Sequence, residues 1–138
     1  MINNKKLELS ENMYKEEILD HYKNPRNFGE LKGPAVLHRE INPLCGDKIK
    51  LSLKIDSGKL KDIKFSGNGC AISQAAISML TEKVKGMNLN EIKKLDKKDI
   101  FNLLGIPISA ARIKCALLSL DTLKNSIKIY EHKQNGKN

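Results

Sequence analysis

Tryptophan is absent from this chain, and aromatic residues make up only 4% of it. Arginine occurs three times, as Arg26, Arg39 and Arg112, although the formal net charge is +9. A nucleic-acid reader needs stacking rings and forked guanidinium donors, and both are scarce here. The lysines are spread along the chain rather than massed, and there is no zinc-finger spacing, so specific nucleic-acid binding is not expected. The basic balance suits attraction to an acidic protein partner. No apolar run approaches the length needed to cross a bilayer, so no membrane association is expected. The opening stretch MINNKKLELSENM has no apolar core of a leader, and the expected location is the cytoplasm. Three cysteines are too few, and odd in number, for a disulfide scaffold. Linkers, repeats and low-complexity tracts are missing as well. The 138 residues therefore read as a single domain over 1–138, with short flexible tails at both ends.

What is present is a helix, then a small sheet, then more helices. SENMYKEEILDHYKN carries Tyr14, Ile18 and Tyr22 one turn apart, with Ser10 as N-cap, and Pro25 predicts a stop near Tyr22 or Lys23. AVLHREI is a short strand candidate. In KIKLSLKI, Ile49, Leu51, Leu53 and Ile55 alternate with Lys48, Lys50, Ser52 and Lys54. Asp56–Lys59 is a turn, and LKDIKF resumes with Ile63 and Phe65 on one face. The expectation is an antiparallel sheet of about three strands with one wet face. From Cys70 the period becomes helical, with Ile72, Ala75, Ala76, Met79 and Leu80 in one stripe and a stop at Gly86. Asn88 with Glu91 resembles a capping box opening a short helix through Leu95; Asp96 with Asp99 opens another that ends at Gly105. A last helix is expected from about Ala111 to Tyr130, with Ile113, Leu117, Leu120 and Ile127 as its stripe and a frayed tail from Glu131.

All three cysteines fall at the ends of these elements. Cys45 lies in Pro-Leu-Cys-Gly-Asp, before the central strand; Cys70 follows Gly67-Asn68-Gly69 and begins a helix; Cys115 lies near the start of the last helix, after Arg112 and Lys114. A helix N-terminus and nearby cations favour thiolates, and the flanking glycines let backbone N–H groups approach sulfur. With the carboxylate of Asp47, the three sulfurs make four ligands, enough for zinc or for the iron pair of a [2Fe–2S] cluster. The gaps of 25 and 45 residues contain no Cys-x-x-Cys, so spacing leaves inert or separately reactive thiols open. His21, His38 and His132 lack partners at ligand spacing and read as packing or surface residues; Met13 and Met79 read as core filling.

DHYKNPRNFGEL, NPLCGDKIKLSLKI, IKFSGNGCAISQAAISMLTE and ARIKCALLSLDTL together resemble the IscU/NifU N-terminal/SufU family of iron–sulfur cluster scaffold proteins, in the right order over nearly the whole chain. The resemblance implies an α+β fold, with the sheet packed by helices on one face. It implies that Cys45, Asp47, Cys70 and Cys115 converge at an exposed end. They would bind iron and a transient [2Fe–2S] cluster, with zinc as a possible occupant. It implies a cysteine desulfurase as sulfur donor and apo iron–sulfur proteins as recipients, with the chain a monomer or weak homo-oligomer. The persulfide acceptor is Cys115 by likeness to IscU and Cys45 by likeness to SufU, with Arg112 and Lys114 supporting; both stay open. Lys114 stands where IscU-type members carry His, and the segment IscU offers to its dedicated chaperone is replaced by GIPISAARIK. ARIKCALLSL looks like SufU, whose Gram-positive members are zinc-dependent sulfurtransferases, but SufU's insertion of about twenty residues does not fit the last gap. Asp47, as the hard ligand, is expected to set cluster lability, and Asp47→Ala to leave folding largely intact.

Overall fold

The structure, a computed structural model, describes residues 15–44 and 46–135. Ser10, Met13, Tyr14 and Cys45 lie outside the described residues. Helix α1 covers residues 15–23 and stops before Pro25, as expected from the steric restriction on the residue ahead of a proline.

Strands β1 (Val36–Ile41), β2 (Lys48–Asp56) and β3 (Lys59–Asn68) form one antiparallel sheet in the order β1-β2-β3. The β2–β3 hairpin turns on Ser57 and Gly58, both at positive φ (52° and 73°), the conformation a two-residue hairpin loop requires. Ile49, Leu51, Leu53, Ile63 and Phe65 are fully buried, so the alternation in the sequence reads the inner face correctly. Leu60 is also fully buried, three residues before Ile63. A register shift at Lys54/Ile55 inserts one residue in β3 and returns Leu60 to the inner face. The outer face is not uniformly wet. Ser52 is buried because the loop after α1 crosses it, and Leu31 N–H donates to Ser52 Oγ at 2.9 Å. The same loop pairs with the free edge of β3: Phe65 N–H donates to the Asn27 carbonyl and Gly29 N–H to the Phe65 carbonyl.

Helix α2 (Ala71–Val84) packs on β3 and α5 (Ala110–Asn135) on β1 and β2, with α4 (Lys97–Leu104) against both helices and α3 (Leu89–Lys93) joining α2 to α4. Helix α2 is not buried along one stripe only: every residue from Ser73 to Thr81 is buried. Its hydroxyls are satisfied by the chain that leaves α1. Ser78 Oγ accepts from Arg26 N–H at 2.9 Å, and Asn27 Nδ2 donates to Thr81 Oγ1 at 3.1 Å. The Asp96/Asp99 capping box forms and Gly105 closes α4 in the left-handed region. The Asn88 box does not form; its amide bonds the Glu91 carboxylate instead of helix backbone. Helix α5 runs five residues past the expected Tyr130, and Lys93 pairs with Glu131 where fraying was expected. Its buried face carries Ala116, Ser119, Leu120, Leu123 and Ile127, whereas Ile113 and Leu117 are only half-buried. Ser119, Thr122 and Ser126 reach burial by returning their hydroxyls to carbonyls one turn back.

Gly67 is where the sheet hands over to α2. A Cβ there would sit 2.1 Å from the Lys48 carbonyl oxygen of the paired strand. Gly67→Ala is expected to lower unfolding stability by about 3 kcal/mol, because backbone has to move. A denaturant unfolding midpoint equal to that of the parent would show that the β2–β3 register tolerates the shift.

Candidate metal centre

The register Lys48↔Asn68 places the residue before β2 opposite the residues after β3. Asp47 and Cys70 therefore meet at the end of the sheet. Asp47 is buried; its Oδ1 accepts the Cys70 N–H at 3.1 Å, and its Oδ2 lies 3.8 Å from Cys70 Sγ. The approach needs Gly69, since a Cβ there would come within 2.7 Å of Asp47 Oδ1 and 2.5 Å of Ser73 Oγ.

Cys70 is the N-cap of α2. Its backbone is extended, and its sulfur accepts the Ser73 N–H at 3.5 Å, one of the amides that a helix start leaves without an internal partner. Cys115 arrives from α5. It occupies the second turn of that helix, near its start as expected, and is 2% exposed. A ligand atom from each of Asp47, Cys70 and Cys115 lies within 4.8 Å of the other two. Among the described residues these three form the one such group of metal-ligating side chains, and no histidine belongs to it.

Arg112 lies one helical turn before Cys115, and its guanidinium interacts with both Cys70 and Cys115. The charge of Cys70 first, and then this interaction with both side chains and the charge of Cys115, raise the guanidinium above its ordinary range. Lys114 is placed differently. It lines a cleft of about 320 Å³ with Glu40, Ile41, Asn42, Leu117, Leu118 and Asp121. The sequence groups Arg112 and Lys114 as one supporting pair; the structure gives the thiols to Arg112.

Cys45 lies outside the described residues. Its chain neighbours belong to a closed loop between β1 and β2, in which Gly46 N–H donates to the Asn42 carbonyl and Asn42 N–H to that of Asp47. Leu44 is 76% exposed, so this rim of the site faces solvent. Ser73 is the contributor that sequence reasoning missed; a residue three past a helix-capping cysteine is the one whose amide reaches the sulfur. His21 bonds Ser78 and His38 bonds Glu40, in keeping with their reading as packing residues. Among the described residues no helix is long and apolar enough to cross a membrane.

The donor chemistry suits a soft or borderline cation. Tetrahedral zinc–sulfur bonds of about 2.3 Å place two sulfurs about 3.8 Å apart, so the observed group closes on an ion with small side-chain shifts.

The family described as NifU-like N terminal domain matches residues 13–137. The zinc-dependent sulfurtransferase SufU of Bacillus subtilis is 38% identical over 132 positions, covering 83% of this chain and 89% of that protein. That share is about 115 of the 138 residues here, so about 17 positions of the relative have no counterpart in this chain. The iron–sulfur cluster assembly scaffold protein IscU of Aquifex aeolicus is 39% identical over 123 positions, covering 88% of this chain and 78% of that protein, with almost no such excess. The structure of a NifU-like N-terminal protein from Brucella abortus superposes with a TM-score of 0.73 over 87% of this chain and 95% of the other, a likeness of fold at 23% identity.

Proposed function

The chain belongs to the NifU-like N-terminal domain family, and from that premise we propose that it is an iron–sulfur cluster assembly scaffold, folded as one domain over 1–138. The observation that carries this reading is the convergence of Asp47, Cys70 and Cys115, which come from three separate elements. Cys45 is the fourth ligand of the proposed set. A cysteine desulfurase donates sulfur: a scaffold thiolate attacks the terminal sulfur of the enzyme persulfide, the S–S bond breaks, and the enzyme thiolate leaves. Cys45 and Cys115 both remain candidates for the attacking thiolate. Arg112 balances the negative charge that this step and the iron that follows concentrate on the sulfurs. The cluster is cargo, and apo iron–sulfur proteins receive it. Three sulfurs and one oxygen hold iron less firmly than four sulfurs, which suits release.

A second reading has its own support. The Bacillus relative is named a zinc-dependent sulfurtransferase, and the same ligands suit zinc. The unmatched positions of that relative weigh toward the scaffold.

Anaerobic reconstitution with iron, cysteine and a desulfurase tests both. A cluster absorption band that decays as an apo-ferredoxin is charged is the expected result. Tightly retained zinc, no cluster and a faster desulfurase would replace the scaffold by the sulfurtransferase.

A further inference from the structure

The two sides of the sheet are finished differently. The edge of β3 is closed by the loop after α1, through Phe65 N–H to the Asn27 carbonyl and Gly29 N–H to the Phe65 carbonyl. The outer face of β1 is left in solvent. Leu37 and Ile41 are each 49% exposed, and Arg39 between them is exposed as well. The register sets Leu37, Arg39 and Ile41 opposite Ser52, Lys50 and Lys48. Leu44, on the loop that follows β1, is more exposed still. Single exposed leucines are ordinary, but apolar residues at alternate positions of one strand share a face and form a surface.

The charges of this face are unbalanced. Arg39 lies directly opposite Lys50, and like charges so placed cost stability. One carboxylate offsets them: Glu30 reaches in from the loop after α1 and pairs with Lys50 at 2.7 Å. Among the described residues, Arg39 and Lys48 have no ion-pair partner. The face thus sets two unpaired cations among apolar side chains, and it already seats one carboxylate. Its complement is an acidic surface with apolar residues between the carboxylates.

The position of the face decides what such a surface reaches. Ile41 and Lys48 are the last paired residues before the sheet opens into the loop 42–47. That loop carries Cys45 and Asp47, so a protein seated on Ile41 and Lys48 stands at the foot of the cysteine centre, on its solvent-facing rim. Handing over cargo needs encounters that are fast and brief. Exposed cations raise the rate of encounter with an acidic partner without deep burial.

We propose that the outer face of β1 and β2, built on Leu37, Arg39, Ile41 and Lys48, is the docking surface for an acidic recipient apo-protein. That the partner is a recipient rests on the scaffold reading; that the face takes an acidic protein does not.

Two measurements test this. In the first, full-length zinc-loaded protein is titrated with the cluster-loaded form of an acidic ferredoxin, which has no vacant thiolates to draw zinc away. NMR shifts centred on residues 37–41 and 48–50 are expected, and salt at about 1 M, where the Debye length is about 3 Å, is expected to erase them. In the second, cluster transfer to the apo-ferredoxin is timed at low salt, and Arg39→Glu and Lys48→Glu are each expected to slow it about tenfold. Arg39→Glu also sets a carboxylate opposite Lys50, so its unfolding midpoint should equal or exceed that of the parent, which separates lost docking from damage to the fold. Loss of cluster iron to a small chelator should be unchanged in Arg39→Glu. Shifts centred on another face, or parental transfer rates in both variants, would overturn the proposal. So would slower persulfide acceptance from the desulfurase with unchanged transfer, since the face would then belong to the sulfur donor. Failure to assemble any cluster, with the shifts on β1 and β2 intact, would count against the scaffold reading alone.

Discussion

Asp47→Ala is expected to slow cluster transfer to an apo-ferredoxin about tenfold and also to destabilise the fold. The first effect follows from the ligand set. The carboxylate is the one hard, weakly covalent donor among thiolates, and so the ligand that an incoming recipient thiolate displaces most readily. The second effect departs from the expectation, drawn from the sequence, that this substitution leaves folding largely intact, because the structure shows Asp47 buried and bonded to backbone. Asp47 is 3% exposed, and its Oδ1 accepts the Cys70 N–H at the point where β3 hands over to α2. Alanine leaves that amide without its acceptor and opens a void beside Gly69. The cost of such a buried, unpaired donor is about 1–3 kcal/mol. Asp47→Asn separates the two roles, since its amide oxygen can still accept from Cys70 while the charge is gone. Its unfolding midpoint is expected near that of the parent and its transfer rate near that of Asp47→Ala. Parental transfer rates in Asp47→Asn would show that the carboxylate does not set lability.

Much of the frame was legible because local chemistry and tertiary structure agree. The inner face of β2, the Ser57–Gly58 turn, the Asp96 capping box and the Gly105 stop all follow from one-residue rules. What escaped depends on neighbours distant in sequence. The extra residue in β3 that buries Leu60 leaves no mark in the alternation. Ser52, Ser78 and Thr81 look solvent-facing, yet each is buried because backbone or amide groups of the loop after α1 complete its hydrogen bonds. The length of α5 was underestimated because a polar tail gives no sign that Lys93 waits for Glu131. The meeting of Asp47, Cys70 and Cys115 could not come from gaps of 25 and 45 residues; it depends on strand register and on how α5 crosses the sheet. The parting of Arg112 from Lys114 was legible in principle. Residues two apart on a helix point to opposite sides, whereas Arg112 and Cys115, three apart, share a face.

Arg112→Ala is expected to lower the rate of persulfide acceptance about tenfold and to speed zinc loss to a chelator by a similar factor. Three thiolates and a carboxylate carry more negative charge than a divalent ion cancels, and the charge left over lies on sulfur. The guanidinium of Arg112 interacts with two of those sulfurs and carries the compensating charge on N–H groups that can be directed at them. A sulfur atom has lone pairs enough to bind metal and accept an N–H together, so the contact can persist when the centre is loaded. Arg112→Lys keeps the charge but loses the fork that spans Cys70 and Cys115, and an intermediate rate is expected. Arg112 is exposed, so the unfolding midpoint should not move in either variant. Mass spectrometry of the persulfidated chain and chelator competition give the two rates. If both match the parent while folding is unchanged, the guanidinium contributes nothing to holding charge on the cysteines, and the centre must balance its charge through the incoming partner instead.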